Sequence, residues 1–94
     1  MYGTVAKIRV KPENREAMRT VTDMQNAAQV AGYVSSHVLW EDDSEDGGWL
    51  FVVFEDRDSY HRNANDPAQH ARYKEWRALM EADPEWHDGD IEAG

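Results

Sequence analysis

The chain has 94 residues, enough for one domain around one hydrophobic core and too few for two. Its 10 basic and 19 acidic residues leave a net charge of −9, so its surface repels nucleic-acid phosphates and anionic lipid and polyanion binding is excluded. The absence of cysteine removes disulfides, thiolate nucleophiles and thiolate metal ligands together.

Residues Tyr2 to Val10 alternate, with Ala6, Ile8 and Val10 on one face and Lys7, Arg9 and Lys11 on the other, the pattern of a half-exposed first strand that Pro12 ends. No apolar stretch of signal-peptide length opens the chain and none long enough to span a bilayer follows, so a soluble cytoplasmic protein is the expectation. Ala17, Val21, Met24, Ala28 and Ala31 then recur at spacings of four, three, four and three. They form the apolar stripe of a first helix that Gly32 can terminate. Tyr33 to Trp40 reads as a second strand, with Val34, Val38 and Trp40 on one face and Tyr33, His37 and Leu39 on the other. The polar segment Glu41 to Gly48 is a hairpin loop, and its acidic cluster lacks the alternating ligands and closing Glu of a calcium loop.

Trp49-Leu50-Phe51-Val52-Val53-Phe54 is too short for a typical helix and is rich in aromatic and β-branched side chains, which makes it a third strand. Large side chains point to both of its faces, so both need cover. Asp56 or Asp58 can cap a short helix to about Asn65, and Asp66-Pro67-Ala68-Gln69 starts another: Asp66 at the cap, Pro67 in the first turn, Gln69 placed to reach back. That helix carries Tyr73, Trp76 and Met80 on one stripe with Leu79 beside it, and Asp83-Pro84 ends it. Glu85 to Glu92 is a final strand or an extended tail. The order is the α+β, ferredoxin-like β-α-β-β-α-β of a single domain over residues 1–94, with helices on one face of an antiparallel sheet. The open face would leave several large side chains in water at about 1.5 to 3 kcal/mol each, a cost that a homodimer joined sheet to sheet relieves.

Four blocks carry a resemblance to a known family: Gly32-Tyr33-Val34-Ser35-Ser36, Trp49 to Phe54 with Glu55-Asp56-Arg57-Asp58-Ser59-Tyr60, Asn65-Asp66-Pro67, and Asp83-Pro84-Glu85-Trp86. Together they make the chain resemble the antibiotic biosynthesis monooxygenase group of the dimeric α+β barrel superfamily. The resemblance implies a homodimer with a pocket in each subunit between sheet and helices. In the best-understood branch it also implies oxidation of polycyclic phenols to quinones by dioxygen without metal or flavin. There an Asn in the third strand, a Trp near its end and a Tyr on the next helix line the pocket. Tyr60 matches the Tyr, whereas Phe54 stands at the Trp place and Leu50 roughly at the Asn place. A heme-cleaving branch uses an Asn in the first strand, a Trp late in the third and a following His. This chain has no first-strand Asn, Phe54 in place of the Trp, and His61 as a near match.

The candidate catalytic residues are therefore Tyr60 and His61. Tyr60 is either a pocket hydroxyl or a core ring with its hydroxyl in solvent. His61 is the general-base candidate by the ordinary imidazole value of about 6.5, although Arg62, Asn63 and Asn65 around it also suit a solvated helix face. The candidate substrate contacts are His37, Phe54 and Trp76: His37 points into a dimer barrel or under the helices, and Trp76 with Tyr73 and Met80 is core unless it walls a pocket. His61 and His70 lack the spacing of a helical metal pair, so no metal is expected, and the resemblance implies no other cofactor. The expected function is a cofactor-independent monooxygenase acting on an aromatic phenol or quinol. The alternative is a non-catalytic barrel that binds a small apolar ligand or serves assembly alone.

Overall fold

A computed structural model describes residues 1–27 and 30–93. Strand β1 (Tyr2–Arg9) leads through a single 3₁₀ turn, Pro12–Asn14, into helix α1 (Arg15–Ala27). Strands β2 (Tyr33–Trp40) and β3 (Gly47–Phe54) form a hairpin; helices α2 (Arg57–Ala64) and α3 (Pro67–Arg77) follow, and strand β4 (Glu85–Asp90) closes the chain. The sheet order is β2-β3-β1-β4 with every neighbouring pair antiparallel, the split ferredoxin-like arrangement. The sheet is open. Among the described residues no helix is long and apolar enough to cross a membrane.

The period-2 reading of β1 holds because Ala6, Ile8 and Val10 are all buried, and Tyr2 and Thr4 share their side. Together with Leu50, Met18, Trp76 and Met80 they build the core between the sheet and helices α1 and α3. Asp46 fixes the hairpin loop to β1: its carbonyl accepts from Val10 N–H at 2.7 Å and its carboxylate pairs with Arg9 at the same distance. The acidic loop is thus a strut on the C-terminal end of β1.

Three expectations need correction. On α1, Met18 is buried while Ala17 is exposed and Met24 is 62% exposed. Two stripes share Val21, and the one carrying the longer Met18 side chain fills the space over the sheet, rotating Ala17 out; Ala31 is also exposed and Ala28 lies outside the described residues. On β2, an irregularity between Tyr33 and Ser35 breaks the alternation. Tyr33 therefore meets Phe54 edge-on at 5.8 Å between centroids, under the helices, and not on the side of His37 and Leu39. On α3, the helix stops at Arg77, well short of Asp83-Pro84, where Arg77 donates to Asp83 and to the Met80 carbonyl. Asp66 does cap α3, accepting from Ala68 N–H at 2.9 Å, but Gln69 accepts from Arg72 instead of reaching back.

The open face of the sheet carries Leu39 opposite Trp49, His37 opposite Phe51, and Val5 opposite His87. Leu39 is 60% exposed and Trp49 36%, with Lys7 stacked over the Trp49 ring at 5.0 Å.

Candidate active site

Aromatic side chains from five elements enclose a cavity of about 380 Å³ between the sheet and helices α2 and α3. The floor is the helix-facing side of the sheet: Thr4 of β1, Tyr33 and Ser36 of β2, Val52 and Phe54 of β3, and Trp86 and Asp88 of β4. The walls are Tyr60 and Asn63 of α2 and Arg72, Tyr73 and Trp76 of α3. The volume falls within the usual range for small-molecule sites, and the lining is largely apolar with a few polar groups.

Local structure positions Tyr60. Asp56 caps α2 by accepting from Ser59 N–H at 2.7 Å, and these hydrogen bonds hold the Asp56 carboxyl below its ordinary value. One residue on, Tyr60 turns towards the sheet and packs edge-on against Phe54 with centroids 5.6 Å apart. Its hydroxyl donates to Asp88 Oδ1 at 2.9 Å. Burial first, and the adjacent Asp88 second, push the Tyr60 phenol well above its ordinary value. Tyr60 is therefore a neutral donor at any physiological pH.

Trp76 Nε1, in a residue 6% exposed, has no hydrogen-bond partner among the described residues, and Thr4 Oγ1, in a residue 3% exposed, lies beside the Tyr60 hydroxyl. A buried polar atom without a partner costs free energy, and a ligand oxygen is one way to satisfy it. Arg72 brings the positive charge to the wall, with Nε donating to Gln69 Oε1 at 3.1 Å and Nη2 to Asn63 Oδ1 at 3.4 Å. Tyr33 hydroxyl and Ser36 Oγ lie 2.6 Å apart on the opposite side. Tyr73 leans on Trp86 with centroids 6.2 Å apart.

Of the residues singled out in the sequence, the fold brings Tyr60, Phe54 and Trp76 together at this cavity. The other two lie elsewhere. His61 is half-buried behind Tyr60, its ring 5.3 Å from that of Tyr60 and 5.7 Å from that of Tyr2, and its Nε2 is buried without a partner among the described residues. Helix neighbours that suit solvent say nothing of how close the edge of β1 passes. His37 is exposed on the open face of the sheet, 3.3 Å from Ser35 Oγ, with the sheet between it and the cavity.

Thr4, Asp88 and Arg72 were not singled out. Thr4 shares the parity of Ala6 and Ile8, so the alternation carried its signal. Asp88 sits in an acidic tail, and its place in the cavity depends on pairing with Thr4 across β1 and β4, a register that local pattern does not encode.

Residues 1–79 match the family model described as "Antibiotic biosynthesis monooxygenase". No curated protein matches the sequence. Among solved structures, SnoaB, a cofactor-independent oxygenase from Streptomyces nogalater, superposes with a TM-score of 0.79 at 22% identity over 99% of this chain and 94% of that one. A structure from Chloroflexus aurantiacus, described as an antibiotic biosynthesis monooxygenase, gives 0.73 at 24% identity over 99% and 94%. One from Caulobacter crescentus with the same description gives 0.76 at 15% identity over 98% and 90%. At these identities the likeness establishes the shared fold.

Proposed function

The chain belongs to the antibiotic biosynthesis monooxygenase family, and on that footing we propose that its cavity binds an electron-rich aromatic phenol or quinol and oxidises it with dioxygen, the substrate supplying the electrons. The observation that carries this reading is the cavity itself: a floor and walls of flat aromatic rings from Tyr33, Phe54, Tyr73, Trp76 and Trp86, with a few polar atoms gathered at Thr4, Tyr60 and Asp88.

The chemistry asks little of the protein beyond these features. A phenol with a ring C–H para to its hydroxyl reacts with one dioxygen to give a quinone and one water. One oxygen atom enters the ring, the other leaves as water, and all four electrons come from the substrate. Loss of the phenolic proton is the enabling step, because the phenolate gives up an electron far more readily than the phenol. Donors aimed at that oxygen in a site that excludes water stabilise the developing charge. Trp76 N–H is a donor without another partner among the described residues, Thr4 O–H lies beside Tyr60, and Phe54 and Trp76 hold the ring plane.

The protein acts in this reading as a homodimer, joined through the open sheet face that displays Leu39, Trp49 and Phe51. The test is oxygen consumption by metal-free protein with a panel of hydroxylated anthrones and naphthols, alongside binding of the same compounds followed by quenching of tryptophan fluorescence. Turnover supports the enzyme. Binding without turnover supports the second reading, a ligand-binding domain without catalysis. Leu50 favours that reading, because it is sealed in the core at the approximate place where the phenol-oxidising branch carries its Asn.

A further inference from the structure

We propose that Asp88 is the base of this site: its carboxylate takes the phenolic proton of the substrate while Tyr60 holds it in position. The inference rests on the phenol-oxidising reading of the cavity and names the group that this reading lacks.

Among the described residues lining the cavity, Asp88 is the only carboxylate. Pairing of β1 with β4 sets it directly opposite Thr4, so the one anion lies beside the Thr4 and Tyr60 hydroxyls on one spot of the floor. Tyr60 donates to Asp88 Oδ1 at 2.9 Å, which orients the carboxylate and leaves the remaining lone pairs for a substrate hydroxyl. The other titratable or charged groups facing the cavity serve less well. Tyr60 on α2 stays protonated and donates. Arg72 on α3 is a cation. His70 on α3 is exposed, as Asp88 is, but unlike Asp88 it has no hydrogen bond fixing its side chain among the described residues. His61 packs on Tyr2 and Tyr60, outside the lining.

In the step, the substrate O–H bond breaks, the proton passes to a carboxylate oxygen of Asp88, and the electron pair stays on the phenolate. The pair keeps its single negative charge throughout, so two anions never sit side by side. The phenolate then reduces dioxygen, the co-reactant, and the proton held by Asp88 leaves with the oxygen atom that departs as water.

The test uses the intact protein and two ligands. The first is 4-nitro-1-naphthol, bound without oxygen, whose phenolate is coloured and reports its own ionisation. A phenol that shares its proton with Asp88 ionises together with it, so the colour of bound ligand should develop in two steps with pH in wild type and in a single step in Asp88→Asn. Asparagine can still accept from Tyr60, so the fold and the Tyr60 contact are retained. The second is the phenol that wild-type protein turns over best. Asp88→Asn should cut its kcat by about a hundredfold or more while changing its dissociation constant only severalfold. Asp88→Ala should regain turnover with added acetate or formate, which a purely structural residue would not allow. Bound ligand that ionises with the same single-step profile in wild type and Asp88→Asn overturns the assignment of Asp88 alone, as does full kcat in the variant. No binding of any phenol overturns the cavity reading and this inference with it.

Discussion

At the scale of single residues, the arrangement turns on Tyr60, Asp88 and His61. Tyr60 cannot act as a base, because burial and the nearby carboxylate both favour its protonated form. Its contribution is a hydrogen bond, so Tyr60→Phe should slow phenol oxidation by about tenfold to a hundredfold, the worth of one donor of about 1.5 to 3 kcal/mol in such a site. Oxygen-electrode kinetics with circular dichroism as the folding control check this. His61 carries a different signature: ring contacts on two sides and a buried nitrogen with no partner among the described residues. His61→Phe keeps the contacts and removes the orphaned atom, so the melting temperature should hold or rise and turnover should persist. His61→Ala should lower the melting temperature by several degrees through lost packing. Lost turnover in a stable His61→Phe would return the base role to His61.

At the scale of elements, the joints decide how the cavity is held open. Gly32 leads into β2 with φ of 81°, and a side chain there would collide with Ser59 of α2. Its carbonyl also accepts from Glu55 N–H at 2.7 Å, so one residue locks β2, the end of β3 and the start of α2 together. Gly32→Ala meets both the unfavourable φ and the collision and should cost more than about 1 kcal/mol, read as a lower denaturant midpoint with unchanged slope. The cap at Asp56 makes a pH-dependent prediction. Hydrogen bonds to Ser59 depress its folded carboxyl value, so its stabilisation is complete above the ordinary carboxylate value of about 3.9 and is lost as pH falls through the lowered one. The melting-temperature gap between wild type and Asp56→Ala should therefore be widest near neutrality and close in acid.

At the scale of the whole molecule, one face of the sheet is covered and the other is not. Leu39 and Trp49 lie exposed as cross-strand partners, with Phe51 next along β3 opposite His37. Burying such side chains is worth about 1.5 to 3 kcal/mol each, which gives a second copy a reason to dock. Light scattering coupled to gel filtration should give a dimer mass at micromolar concentration, and Phe51→Glu should halve it by placing an unpaired charge in the contact. A monomeric wild type would remove the barrel from the picture. What the residues determined by themselves was the order of the elements as far as α3, the one-sided helix layer and the cap at Asp66, while the cap of α2 stayed open between Asp56 and Asp58. Each of these depends on alternation, helical spacing or a capping side chain within a few positions of where it acts. Tertiary structure alone decided which α1 stripe is buried, that Tyr33 turns under the helices, and that Tyr60 meets Asp88 across 28 positions of sequence. Those outcomes depend on strand register and on competition for space over the sheet, which no local window of sequence contains.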